Sequence, residues 1–258
     1  MDHKKLFDYA ILTGEIMLKS GAETSRVEDT INRILATTNF RTVESFVTPT
    51  GIFATLDDPS IDMITFVKRV HKRVVHLNRV AMANDLSRRF CSGEVELEEA
   101  YKLLEVIKEE PPYPNWVMIL AKGIGAGSFT VVFGGDVIDM CVTMIIGFVL
   151  TMMQIVLRKF DTSKFFEDII GGALIASLAI VFFYYLNIGS NFDLIVIGAI
   201  MPLVPGVAIT NAIREIIQGD FISGISRTAD AFIIAASVAV GVGSILKFFY
   251  IYLGGAFL

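Results

Sequence analysis

The densest polar cluster beside a glycine is Gly21, Glu23, Thr24, Arg26 and Glu28. A carboxylate and a guanidinium in one helix-start loop can hold a polar solute or move a proton. Capping with local ion pairs is the other reading, because Ser25-Arg26-Val27-Glu28 fits a capping box in which side chains satisfy the free amides of a first turn. No elbow or triad supplies a nucleophile, and there is no Walker A sequence, zinc-type spacing or dinucleotide fingerprint. The sequence therefore names no catalytic residue, no cofactor and no metal site. Cys91 and Cys141 are too far apart in the chain to suggest a disulfide or a metal cluster.

A second set of charges lies in or at the edges of apolar runs: Lys122, Asp136, Asp139, Asp193, Asp230 and Lys247. Charges in hydrocarbon are costly and face a bundle interior, a cavity or the interface. Asp193 and Asp230 stand near helix starts, where they can cap, and Lys247 can snorkel to a headgroup. Lys122 is a candidate counter-charge for a carboxylate, and Asp136, Asp139 and Asp230 are candidates for carrying a proton. A third feature is Met201-Pro202-Leu203-Val204-Pro205-Gly206, inside the apolar run 192–212. Each proline removes an amide donor and crowds the preceding turn. Backbone broken at membrane depth is tolerated in protein or beside a wet cavity, and such breaks often mark solute sites in transporters. A plain kink is the alternative. With a half-helix starting near Gly206, free amides would favour a carboxylate, and Thr210 and Asn211 offer further hydrogen bonds.

The elements that must position these groups divide the 258 residues in two. Up to Pro114 the chain is mixed and holds 15 of its 22 Lys and Arg. Helical spacing over Leu6–Leu18, a helix from Ser25, a hairpin over 41–56, a third strand Ile61–Val67 and helices over 74–90 and 96–109 describe an α+β domain, residues 1–110, with helices flanking a small antiparallel sheet. His71 and His76 among Lys68, Arg69, Lys72 and Arg73 suit solvent or anionic headgroups. A stiff proline-rich linker, 111–115, follows. The remainder, 116–258, reads as five membrane helices: 116–133, 137–157, 169–187, 192–212 and 229–253. The first contains Lys122-Gly123-Ile124-Gly125-Ala126-Gly127-Ser128, small residues that permit close helix approach or a local break. Arg158, Lys159 and Lys164 after the second span and Arg214 and Arg227 after the fourth place the N-terminal domain in the cytoplasm and the C-terminus outside. No signal peptide is expected before Ile11, and the net charge of −5 gives no reason to expect nucleic acid. An odd number of spans points to an oligomer or a second subunit.

Gly21-Ala22-Glu23-Thr24-Ser25-Arg26-Val27-Glu28, the Pro49-Thr50-Gly51 turn, Pro202–Gly206 with Thr210–Arg214, and Gly219–Gly224 together resemble the threonine/serine exporter (ThrE) family, in particular its YjjP-like larger split subunit. The resemblance covers essentially the whole chain. It implies export of threonine and serine, or of succinate for the split pair, across the cell membrane, with a small YjjB-like membrane subunit as partner. Full-length members carry about ten spans, and this sequence has five. The expected function is thus a proton-driven secondary exporter subunit for small carboxylate-bearing solutes, working in the lipid bilayer as a homo- or hetero-oligomer. Two rivals stand beside it: a membrane-anchored hydrolase with its active site in the N-terminal domain, and a regulatory or structural membrane module.

Overall fold

The computed structural model of the chain describes residues 3–71, 74–160 and 162–253. In chain order the elements are α1 (His3–Lys19), α2 (Thr24–Leu35), β1 (Thr42–Thr48), β2 (Gly51–Asp58), β3 (Ile61–Arg69), α3 (Leu77–Cys91), α4 (Leu97–Lys108), α5 (Asn115–Val132), α6 (Val137–Arg158), α7 (Lys164–Ile180), α8 (Phe192–Ile200), α9 (Gly206–Ile217) and α10 (Phe221–Leu253). The fold is mostly helical with one three-stranded antiparallel sheet. Among these residues four helices are long and apolar enough to cross a membrane, and a bent pair makes a fifth candidate span. Two compact units are present, Met1–Pro112 with Val207–Thr228, and Tyr113–Gly206 with Ala229–Leu258.

In the first unit, apolar residues at helical spacing turn one face of each helix inward. Val80, Ala83, Leu86 and Phe90 of α3 and Leu97, Ala100, Leu104 and Ile107 of α4 are buried in this way. α1 and α2 approach closely at Gly14, where a Cβ would meet Ile31 Cδ1 at 2.5 Å. The sheet order is β1-β2-β3, with Thr48 paired to Gly51 across the Pro49-Thr50 turn. Its period-two pattern buries Ile52, Ala54 and Leu56 and leaves Phe53 exposed beside Phe46. The core joins Leu6, Tyr9, Met17, Ile31, Val47, Ile52, Leu86 and Leu104.

Three local expectations change. α2 begins at Thr24 rather than Ser25, and no capping box forms. Ser25 Oγ instead donates to Gln218 Oε1 at 2.8 Å, and Glu28 Oε1 accepts the Val47 amide at 2.6 Å. α3 begins at Leu77, not Val74, because the Val74 and His76 amides bond to the Lys19 and Ser20 carbonyls at the end of α1. His76 is drawn out of the basic cluster, its Nδ1 accepting the Arg79 amide, and Lys68 pairs with Glu15 at 3.2 Å. Lys72 and Arg73 lie outside the described residues.

In the second unit small residues set the helix spacing. Gly123 and Gly127 of α5 face Phe148, Met144 and Met140 of α6 so closely that a Cβ would meet them at 2.1–2.9 Å, and Gly147 of α6 sits over the Gly123 Cα. The glycines therefore serve close approach, and α5 runs unbroken through them. α7 runs on through a π-helical turn at Val181–Tyr185. A Cβ on Gly241 of α10 would stand 2.1 Å from the Ile169 carbonyl of α7. The shared core holds Ile146, Leu150, Ile175, Ile195, Leu203 and Val238.

Gly241→Val should lower stability by about 1–3 kcal/mol, because backbone must move to admit the side chain. Gly243→Val, where a Cβ meets nothing within 4 Å, should have little effect. Thermal unfolding of the detergent-solubilised chain compares the two.

Candidate functional site

The Gly21–Glu28 cluster is a seat for another part of its own unit. α1 ends as Gly21 adopts φ +92°, a conformation favourable only to glycine, which releases the chain into an extended Glu23. The carbonyls and amides freed at this turn are then met by α9 and the first turns of α10. Asn211 Nδ2 donates to the Gly21 carbonyl at 3.1 Å, and Arg227 Nη2 to the Ala22 carbonyl at 2.8 Å. The Thr24 amide and hydroxyl both reach Glu215 Oε1 at 3.0 Å, and the same hydroxyl lies 2.7 Å from Asp220 Oδ2. One hydroxyl proton is thus shared between two carboxylates. Arg227 Nε donates to both Glu215 oxygens at 2.9 Å, and Arg214 Nη1 to Glu23 Oε1 at 2.5 Å.

At the centre, Glu215 is 0% and Arg227 6% exposed. A carboxylate at the start of α2 also meets the positive end of that helix dipole. Burial pushes the Glu28 carboxyl above its ordinary range, with the Val47 amide opposing and Asp220 adding to the rise. Beside the seat a polar cleft of about 370 Å³ is lined by Glu23, Ser25, Arg26, Asp29, Arg33, Asn84, Arg88 and Gln218.

The segment that fills the seat is turned inside out. α9 buries Asn211, Ala212 and Glu215 and exposes Ile209, Ile213 and Ile217, and the start of α10 buries Ser223 while exposing Phe221, Ile222 and Ile225. Such a helix suits an apolar surrounding.

The second unit holds most of the remaining sequence-derived candidates. Asp136 caps α6 by accepting the Asp139 amide at 2.8 Å and also accepts the Ser190 hydroxyl. Asp139, 1% exposed, accepts the Ser190 and Asn191 amides at 2.7 and 3.2 Å. The two aspartates thereby hold the loop ahead of α8. Lys122 Nζ donates to Gln154 Oε1 at 2.7 Å, and Asp230 is exposed on α10. Before Pro205, Val204 is forced to an extended ψ of 128°, as expected ahead of proline. This ends the 3-10 turn Met201–Leu203, which contains Pro202, and a new helix, α9, starts at Gly206. Of the polar pair after the break, Asn211 is spent on Gly21 while Thr210 is exposed.

Sequence reasoning passed over Glu215, Glu167, Asp168 and Gln154. For Glu215 and Gln154 the available signal was placement, polar groups inside helices away from any cap, whereas Glu167 and Asp168 stand at the start of α7, where acids are commonplace.

A family model described as "Putative threonine/serine exporter" matches residues 8–249. The chain belongs to the threonine/serine exporter family. A "Probable threonine/serine exporter" of Mycobacterium tuberculosis (strain ATCC 25618 / H37Rv) is similar at 24% identity over 244 residues, 93% of this chain and 45% of that protein. An uncharacterized protein of Schizosaccharomyces pombe (strain 972 / ATCC 24843) is 26% identical over 200 residues, 74% of this chain and 23% of its own length. The chain thus spans less than half the length of these curated relatives. No solved structure matches it significantly. The exporter family is one of transporters, and with the apolar helices it makes this a multi-pass membrane protein.

Arg227→Met leaves Glu215 buried without its cation and should cost about 3–5 kcal/mol, whereas Arg227→Lys, which keeps a cation beside Glu215, should lose less. Denaturant titration of the two variants beside the parent measures the difference.

Proposed function

We propose that the chain is one subunit of a cell-membrane secondary exporter for small carboxylate-bearing metabolites, threonine and serine or succinate, driven by the proton gradient. A small YjjB-like membrane subunit completes it, in a homo- or hetero-oligomer. Membership of the exporter family carries this reading. The interrupted pair α8–α9 supports it physically. α8 with its 3-10 turn, Phe192–Leu203, is about 18 Å long and falls short of a bilayer core of about 30 Å. The restart at Gly206 leaves first-turn amides without intrahelical acceptors, a setting that favours a carboxylate. Pro202, Pro205, Gly206 and Thr210 frame the solute path, with Asn211 fixing α9 beside it. Lys122 supplies a counter-charge, an acid of the membrane helices carries the coupling, and Asp136, Asp139 and Asp230 are the candidates for it that the sequence names. The N-terminal domain lies in the cytoplasm on this reading. Arg214 and Arg227 of the α9–α10 turn bond to that domain's own residues, which keeps those basic groups on its side of the membrane.

Pro205→Ala and Gly206→Ala test the break in a strain loaded with threonine or succinate. A Cβ at Gly206 meets nothing within 4 Å, so lost efflux there would not reflect crowding. Efflux should fall about tenfold at normal protein levels. Unchanged efflux from both variants removes the role assigned to the break.

A further inference from the structure

Asp168 lies near the start of α7, is 3% exposed, and its enclosed Oδ2 has no hydrogen-bond partner among the described residues. Asp136, Asp139 and Glu215 differ, since each accepts N–H or O–H donors. A buried carboxylate without donors holds its charge at high cost, and binding a proton removes that cost. The charged groups that bear on Asp168 are Lys164 and Glu167 of its own helix and Lys122 of α5. Lys122 gives its short hydrogen bond to neutral Gln154 of α6, not to a carboxylate, and Arg158 of α6 bears on Lys122 in turn. One turn on, Gly171 faces Leu150 of α6 and Leu203 after α8, and Gly172 faces the Val238 carbonyl and Val242 of α10, so no further charged side chain meets α7 at those two glycines. Asp193 of α8 and Asp230 and Lys247 of α10 are exposed.

We propose that Asp168 takes up and releases the proton coupled to solute movement. The proton enters from water and returns to water, no other bond changes, and Lys122 balances the charge that remains when the proton leaves. The purpose of this site rests on the exporter reading, but its chemistry does not.

Dicyclohexylcarbodiimide, an apolar reagent that attacks protonated carboxyl groups, tests it on the full chain in membranes, with adducts located by peptide mass spectrometry. Asp168 should be modified, and modification should fall about fivefold or more from about pH 6 to about pH 8. Adducts at Asp136 or Asp139 in its place, or an Asp168 adduct indifferent to pH, would overturn the proposal. In vesicles holding the chain together with a small YjjB-like subunit, Asp168→Asn should keep threonine exchange and lose acceleration by a pH gradient, and a retained response to the gradient contradicts it. Absence of all flux from vesicles holding both parent proteins, with pH-dependent labelling intact, counts against the exporter reading and leaves the proton-carrying acid standing.

Discussion

Glu215 is the residue on which the first unit's arrangement depends. It is fully buried, caps the first amide of α2 from 191 residues away, and holds both the Thr24 hydroxyl and the Arg227 guanidinium. Buried ion pairs seldom add much net stability, but losing one partner is severe, because the other charge is stranded. Such a pair therefore enforces an arrangement more than it strengthens one. Here it enforces that the turn between α9 and α10 stays on the Gly21–Glu28 loop. The same bonds explain why the loop is rich in small and polar residues. Gly21 turns the chain, Ala22 leaves its carbonyl accessible, and Thr24 offers an amide and a hydroxyl side by side.

The consequence for α9 follows directly. With Asn211 and Glu215 committed inward, its isoleucines face out, an outer surface suited to apolar surroundings. The break at Val204-Pro205 ends the preceding helix, so that α9 starts afresh at Gly206. In the membrane helices glycine has the complementary task. Gly123, Gly127 and Gly147 bring α5 and α6 together, and Gly172 and Gly241 do the same for α7 and α10.

Local pattern made much of this legible. The hairpin, its Pro49-Thr50 turn, the amphipathic faces of α3 and α4, the apolar helices and the proline break all follow from rules that act within a few residues. The family was legible because its motifs recur in one order along the chain. What short-range rules missed was long-range. Ser25 and Glu28 have the spacing of a capping box, yet Gln218 and Val47 claim them, and the cap on α2 arrives from α9. Asp136 and Asp139 drew notice as charges at a membrane helix, and their oxygens proved to hold the Ser190–Asn191 loop. Asp168 drew none, because its isolation is a property of packing and has no signature in spacing.

Amide hydrogen exchange on Glu215→Gln measures the central interaction most directly. The Arg227 ion pair and the strong acceptor for the Thr24 amide are lost together, while side-chain volume is kept. Protection should fall in residues 22–28 and 211–228 in parallel, with α3 and α4 unchanged. Loss confined to 211–228, with the Thr24 amide still protected, would show that the loop holds its shape without Glu215 and would contradict the account.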